Sequence, residues 1–321
     1  MSDVRSGNHT VLSVNGIAKT YDQVEALTDL SFAVRAGEIV GLLGPNGAGK
    51  TTAIRILTTI LPPTRGHFSV MDIPDSQPEA IRALIGVLPE SNGFPVHMSG
   101  VDFLTYMGRL YGQSESQARA KAVDLLRLFG LEKAQQARIV TYSRGMKQRL
   151  AIARSLVNDP KILFLDEPTL GFDPKGQQEM LQVIRKAVVE NQVAVILSSH
   201  LLEVVEVICD RLIILNHGRL ITEGSVAEIK KQVPIPHTCR IQVSPEQISK
   251  AISVLSTVEG LMTEPHNNHK DELIISSNGR SDDEMNHILQ HLIQANIPIQ
   301  GFSKDSVRLS DAFLSMIEEV Q

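Results

Sequence analysis

The chain has 321 residues, 42% hydrophobic and 21% charged, a balance that suits a globular fold and excludes a disordered one. With 31 basic residues against 36 acidic the net charge is −5, which excludes a binder of nucleic acid through bulk electrostatics, so no nucleic-acid partner is expected. Mean hydropathy is −0.00 and no apolar run approaches the roughly 18 residues of a membrane span, so no segment is expected to cross a bilayer.

The first ten residues are polar and lack the apolar stretch of a secretory signal. Cys209 and Cys239 alone make no disulfide framework and no zinc spacing, which suits a reducing cytoplasm. Residues 11–32 alternate in polarity, broken by Gly16 and Asp22, and predict an antiparallel β layer. Near-continuous apolar runs at 38–43, 85–88, 162–165, 193–197 and 211–215 predict strands covered on both faces, the core of an α/β domain with a largely parallel sheet. Between 91 and 159 the pattern turns helical. Residues 115–129 place Ala118, Ala122, Leu125, Leu126 and Phe129 at helical spacing, with Gly130 as the stop.

Residues 230–237, with Pro234 and Pro236, read as a linker. The C-terminal stretch parses as strand 238–243, helix 245–255, strands 257–264 and 272–276, helix 282–296, strand 299–303 and helix 310–319. That order is the ferredoxin-like α+β arrangement. The expected organisation is a nucleotide-binding domain over 8–230, with a helical subdomain at about 91–159, and a small α+β domain over 237–321.

Between the strand at 38–43 and a helical run at 51–61 stands Gly44-Pro-Asn-Gly-Ala-Gly-Lys-Thr-Thr52, which satisfies G-x-x-x-x-G-K-[ST]. Gly44, Gly47 and Gly49, with Pro45, Asn46 and Ala48 between them, let backbone N–H groups wrap phosphate oxygens. The following helix, beginning with Thr51 and Thr52, adds its positive N-terminal end. Lys50 supplies charge to the β- and γ-phosphates, and the Thr51 hydroxyl is a ligand for Mg²⁺. The strand at 162–165 ends in Asp166 and Glu167. Asp166 is expected to hold Mg²⁺ through water and Glu167 to polarise the attacking water. These are the parts of a nucleoside triphosphate site that works with Mg²⁺.

With these elements the sequence resembles the ATP-binding subunits of ABC transporters over about its first 225 residues, a fold of P-loop NTPase type. Tyr142-Ser-Arg-Gly-Met-Lys-Gln-Arg149 resembles the family signature, Leu88-Pro-Glu90 the loop that normally carries Gln, Gly171-Phe-Asp173 the D-loop, and Ser199-His200 the switch histidine. Tyr21 resembles the aromatic residue that stacks on adenine. The resemblance implies that Ser143 and Gly145 serve the γ-phosphate of a second subunit, with Asp173 close by, in a head-to-tail dimer clamping two ATP molecules. It also implies His200 as the γ-phosphate sensor and Glu90 as a third oxygen near the metal.

Arg144 stands where the signature has its first Gly, and Met146 where it has Gln. That form, and the closing segment at 307–314, resemble the subfamily serving ABC-2 type exporters. The implied protein is a cytoplasmic ATPase subunit held at the inner membrane face by a separate integral membrane permease, with residues 93–110 as the docking region. An importer subunit, which would carry a β-rich C-terminal barrel, and a soluble non-transport ABC ATPase are the alternatives. His287 and His291 stand at i, i+4, with His266 and His269 nearby, but read better as a solvated helix face than as metal ligands.

Overall fold

The alternating residues after His9 form two long strands, β1 (Thr10–Tyr21) and β2 (Val24–Arg35), joined by a tight turn in which Asp22 takes a left-handed φ of 51°. The structure is a computed structural model that describes residues 9–89, 93–199, 201–232, 237–256, 258, 261–265, 271–277, 282–304 and 308–318. The chain divides into two compact units, Met1–Ile229 and Lys230–Gln321. The proline-bearing stretch expected as a linker lies outside the described residues.

In the first unit the hairpin is followed by β3 (Ile39–Leu43), α1 (Lys50–Leu57), β4 (Arg65–Val70), β5 (Ile73–Pro74), α2 (Pro78–Leu84) and β6 (Ile85–Leu88). Then come the helices of the insertion, α3 (Gly100–Leu110), α4 (Glu115–Leu128) and α5 (Arg144–Ser155). The remainder alternates as β7 (Ile162–Asp166), α6 (Pro174–Asn191), β8 (Ala194–Ser198), α7 (Leu202–Ile208), β9 (Arg211–Asn216), β10 (Arg219–Ser225) and α8 (Val226–Gln232).

Two sheets result. The antiparallel layer runs β2-β1-β4-β5, and the central sheet runs β10-β9-β3-β8-β7-β6, parallel except for β10. Every residue of β3 and β8 is buried, as their unbroken apolar content requires of strands covered on both faces. One core joins the layers, with Ile17, Leu30 and Phe68 from the antiparallel sheet, Ile56 and Leu57 from α1, and Leu42, Phe164 and Ile196 from the central sheet. Helix α1 stops at Leu57, short of the expected 61. The Thr58 hydroxyl bonds back to Ile54 O at 2.7 Å, Thr59 turns left-handed at φ 61°, and Pro62 cannot extend a helix. Helix α4 opens on a reciprocal capping box between Ser114 and Gln117, and Gly130 (φ 68°) follows its end.

The second unit contains β11 (His237–Val243), a 3₁₀ turn (Pro245–Gln247), α9 (Ile248–Leu255), β12 (Leu261–Pro265), β13 (Glu272–Ser277), α10 (Asp282–Gln294), β14 (Ile299–Lys304) and α11 (Leu309–Glu318). Its antiparallel sheet has the order β12-β13-β11-β14, the ferredoxin-like order. It has its own core, in which Cys239, Ile241 and Ile275 of the sheet meet Ala251, Leu255, Ile288 and Leu292 of α9 and α10. Cys209 in the first unit is buried too, and neither cysteine is in a disulfide. His287 and His291 lie exposed on α10, while His266 and His269 lie outside the described residues.

Candidate functional site

In the central sheet β3, β8 and β7 are consecutive, so the segments leaving their C-terminal ends emerge side by side, at the edge where open α/β sheets bind ligands. The segment after β3 is the glycine loop 44–49. It threads closely between β2 and the end of β9. A Cβ on Gly49 (φ 101°) would lie 2.7 Å from Ala26 O, and one on Gly44 would lie 2.4 Å from Leu215 O. The loop is fastened by Ala48 N donating to Pro45 O at 3.2 Å and by Gly218 N donating to Ala48 O at 3.1 Å. Gly49 is the N-cap of α1 and supplies no side-chain acceptor, so the first N–H groups of that helix remain available to an anion.

Lys50 donates from Nζ to Gly44 O at 2.6 Å and Pro45 O at 3.0 Å, which holds the amine across the loop. Burial lowers its pKa below the usual 10.5, against the pull of Glu167 and Asp166. Thr51 stands exposed in the first turn of α1, with Thr52 beside it half-buried.

Asp166 ends β7 in register with Ser198 of β8, whose hydroxyl donates to its carboxylate. Glu167 follows in a left-handed conformation, φ 48°, which a residue with a Cβ adopts only where its surroundings impose it. The imposing contacts are on every side. Its N–H donates to Ser198 O at 3.0 Å, its carboxylate accepts from the Ser199 hydroxyl at 3.2 Å, and its carbonyl accepts from Leu170 N at 3.1 Å. The Gln148 amide of α5 donates to Glu167 O at 3.3 Å and to Pro168 O at 3.2 Å. Sequence alone does not single out Gln148, Ser198 or Ser199 for holding Glu167. A serine ending an apolar strand beside the carboxylate strand is the one available signal.

The signature residues sit at the start of α5. Ser143 is its N-cap, accepting from Met146 N at 3.2 Å, so the helix begins at Arg144. Gly145 faces the Phe172 ring, 3.3 Å from where a Cβ would stand. Asp173 caps α6 by accepting from Gly176 N at 3.1 Å. Among the described residues, then, Lys50, Asp166 and Glu167 lie at or after strand ends at one edge of the central sheet, whereas Gly145 meets Phe172 of its own chain's 171–173 turn and Ser143 caps its own helix. Tyr21 closes β1 at the hairpin, 39% exposed, with Lys19 Nζ 5.6 Å from its ring centre, and offers a free aromatic face. Glu90 and His200 lie outside the described residues.

No cluster of three or more His, Cys, Asp or Glu side chains suited to a metal occurs among the described residues. The donors expected for a metal among the described residues, the Thr51 hydroxyl and the Asp166 carboxylate, offer oxygen only and are too few to cage an ion. They fit Mg²⁺, which keeps waters and shares its sphere with substrate phosphates.

The ABC transporter family matches residues 27–170. The daunorubicin/doxorubicin resistance ATP-binding protein DrrA of Streptomyces peucetius is 34% identical over 310 residues, 95% of this chain and 92% of that one. The Nod factor export ATP-binding protein I of Bradyrhizobium diazoefficiens is 37% identical over 218 residues, 68% of this chain and 71% of that one. Among solved structures, a dimeric post-hydrolysis state of the ATP-binding cassette MJ0796 bound to ADP and Pi superposes with a TM-score of 0.61 at 25% identity, covering 67% of this chain and 98% of that one. A glycine loop and paired carboxylates at one edge of the central sheet, together with a relative matched along nearly the whole chain, make this protein a member of the ABC transporter family, one of its ATP-binding proteins.

Proposed function

We propose that the chain is the Mg²⁺-dependent ATPase subunit of an ABC-2 type exporter, energising a separate membrane permease through closure of a head-to-tail dimer on two ATP molecules. The observation that carries this reading is the division of the site. Lys50 and the carboxylates of Asp166 and Glu167 lie at or after the C-terminal ends of β3 and β7 at one edge of the central sheet, while the capped signature turn that should cover a γ-phosphate is engaged with its own 171–173 turn. A second copy completes the site. Likeness to a drug-resistance ATP-binding protein over 95% of the chain and to a Nod factor export ATP-binding protein over 68% supports the transport direction.

Lys50 and the N–H groups of residues 44–51 bind the β- and γ-phosphates, and Tyr21 stacks on adenine. Thr51, Asp166 and Glu90 hold Mg²⁺, which neutralises charge on the phosphate oxygens. Glu167, fixed by Ser199 and the main chain around it, accepts a proton from the attacking water, and His200 contacts the γ-phosphate. Ser143, Gly145 and Asp173 act on the partner copy's nucleotide. The permease docks on the helical insertion, where Val96, Tyr106 and Leu110 expose apolar surface beside a cavity of about 490 Å³ between α3 and α4. No helix among the described residues is long and apolar enough to cross a membrane, so the transport path belongs to that partner.

Replacing Glu167 by Gln leaves phosphate and metal ligands in place, and should lower turnover by about 10² or more while preserving ATP binding. The arrested protein should sediment as a dimer in saturating MgATP and as a monomer without it. A variant that stays monomeric in MgATP, or hydrolyses at the parent rate, removes the sandwich or the assigned base respectively.

A further inference from the structure

The first two turns of α5 are fastened to the segment 167–172 at four separate points. The Arg144 side chain lies over Gly171, where a Cβ would stand 2.3 Å from its Nε. Gly145 meets the Phe172 ring from one side, and the Arg149 guanidinium lies 6.0 Å from the centre of the same ring. Gln148 donates to the carbonyls of Glu167 and Pro168. Arg149 is anchored in turn by Glu179 of α6 at 3.1 Å. The short stretch from Ser143 to Arg149 therefore carries two kinds of group. Ser143 and Gly145 belong to the surface that meets the other nucleotide of the dimer, and Gln148, one turn on, grips the strained peptide of this chain's own Glu167.

We propose that Gln148 is a positioning residue for Glu167, and that it ties the working conformation of one hydrolysis site to the engagement of the signature turn at the other. The proposal rests on the dimer reading above. Glu167 holds φ 48° through hydrogen bonds to its N–H, its carbonyl and its carboxylate. The N–H and carboxylate partners, Ser198 and Ser199, come from the segment at the end of β8, whereas the Gln148 amide comes from the insertion. Displacing the signature turn pulls on that bond, and on Pro168 beside it, without touching the phosphate loop. Nucleotide seated against Ser143 and Gly145 of this chain holds α5 still and, through Gln148, keeps the Glu167 carboxylate aimed at its own site. The two sites are coupled through a side chain that touches neither nucleotide.

The test compares Gln148→Met, which keeps length and helix propensity but cannot donate, with Gln148→Lys, which keeps a donor. Gln148→Met should lower kcat by about 10- to 100-fold, the scale of a small misplacement of a catalytic group. KM for ATP should stay within about threefold, and the dependence of rate on ATP concentration should lose its cooperativity. Gln148→Lys should recover most of kcat. In the Glu167→Gln background, Gln148→Met should still give the MgATP dimer, because the surfaces that build it are intact. Parent-like kcat in a folded Gln148→Met protein overturns the assignment. So does a loss of kcat accompanied by raised KM and a lost dimer, which marks a general role in helix packing. A Glu167→Gln protein with Gln148 intact that fails to dimerise overturns the sandwich reading first, and this inference with it.

Discussion

At Lys50, half-burial of the amine disfavours its charged form, and Glu167 and Asp166 offset this only in part, so its pKa lies below 10.5. The unfolded chain therefore holds this proton more tightly than the folded one. As pH rises through the folded pKa toward 10.5, the folded state gains stability from this group. Lys50→Met has no proton to lose and lacks the gain. Thermal melts of nucleotide-free protein between about pH 8 and 10 should show the parent improving relative to Lys50→Met, and a pH-independent gap would refute the burial argument. Bound phosphates supply the missing counter-charge, so the same variant should lose most of its ATP affinity at neutral pH. Lys50, Asp166 and Glu167 could be singled out as candidates because the glycine spacing and the apolar strand before the carboxylates mark their positions. Gln148, Ser198 and Ser199 were not legible, since what makes each of them matter is a neighbour in space 19 to 32 residues away.

Helix α6 begins where Asp173 accepts from Gly176 N, followed by Pro174 in the first turn. Asp173→Ala should cost about 1 kcal/mol in urea unfolding, and Asp173→Asn, which still caps, should lose much less. Equal losses in the two variants would mean that the cap is not what Asp173 contributes to stability. The helix was readable in principle, from Asp-Pro and from Met180, Ile184, Ala187 and Val188 at helical spacing. The five core strands were read to within a residue or so because a strand covered on both faces has no choice but to be apolar throughout. By contrast β4 and the two-residue β5 are largely polar or half-exposed. They exist as strands through the pairing of β4 with β1 and of β5 with β4, which their local sequence does not encode.

The two units have separate cores, and every described residue assigned to the nucleotide lies in the first. A chain ending after Gln232 keeps α8 whole, including the fully buried Ile229. It should bind a fluorescent ATP analogue with an affinity near that of the parent. A folded truncation that binds none would show that the second unit completes the site. The ferredoxin-like order of that unit was legible from the succession of elements alone, whereas its contribution to the assembled protein was not, because it bears no chemical motif.

Leu42, Ser198 and Asp166 stand in one row across β3, β8 and β7, which sets the glycine loop and the Asp166 carboxylate two strand spacings apart, about 10 Å. That ruler is graduated in main-chain hydrogen bonds, not in side chains. Over long descent, the valines, isoleucines and leucines of these strands can therefore be exchanged for one another while the reacting groups keep their separation. Losing or gaining a single residue within β7 is another matter. It would carry Asp166 off the row and turn its carboxylate to the opposite face of the sheet. Lineages of this protein are free to drift in spelling between the motifs, but not in strand length.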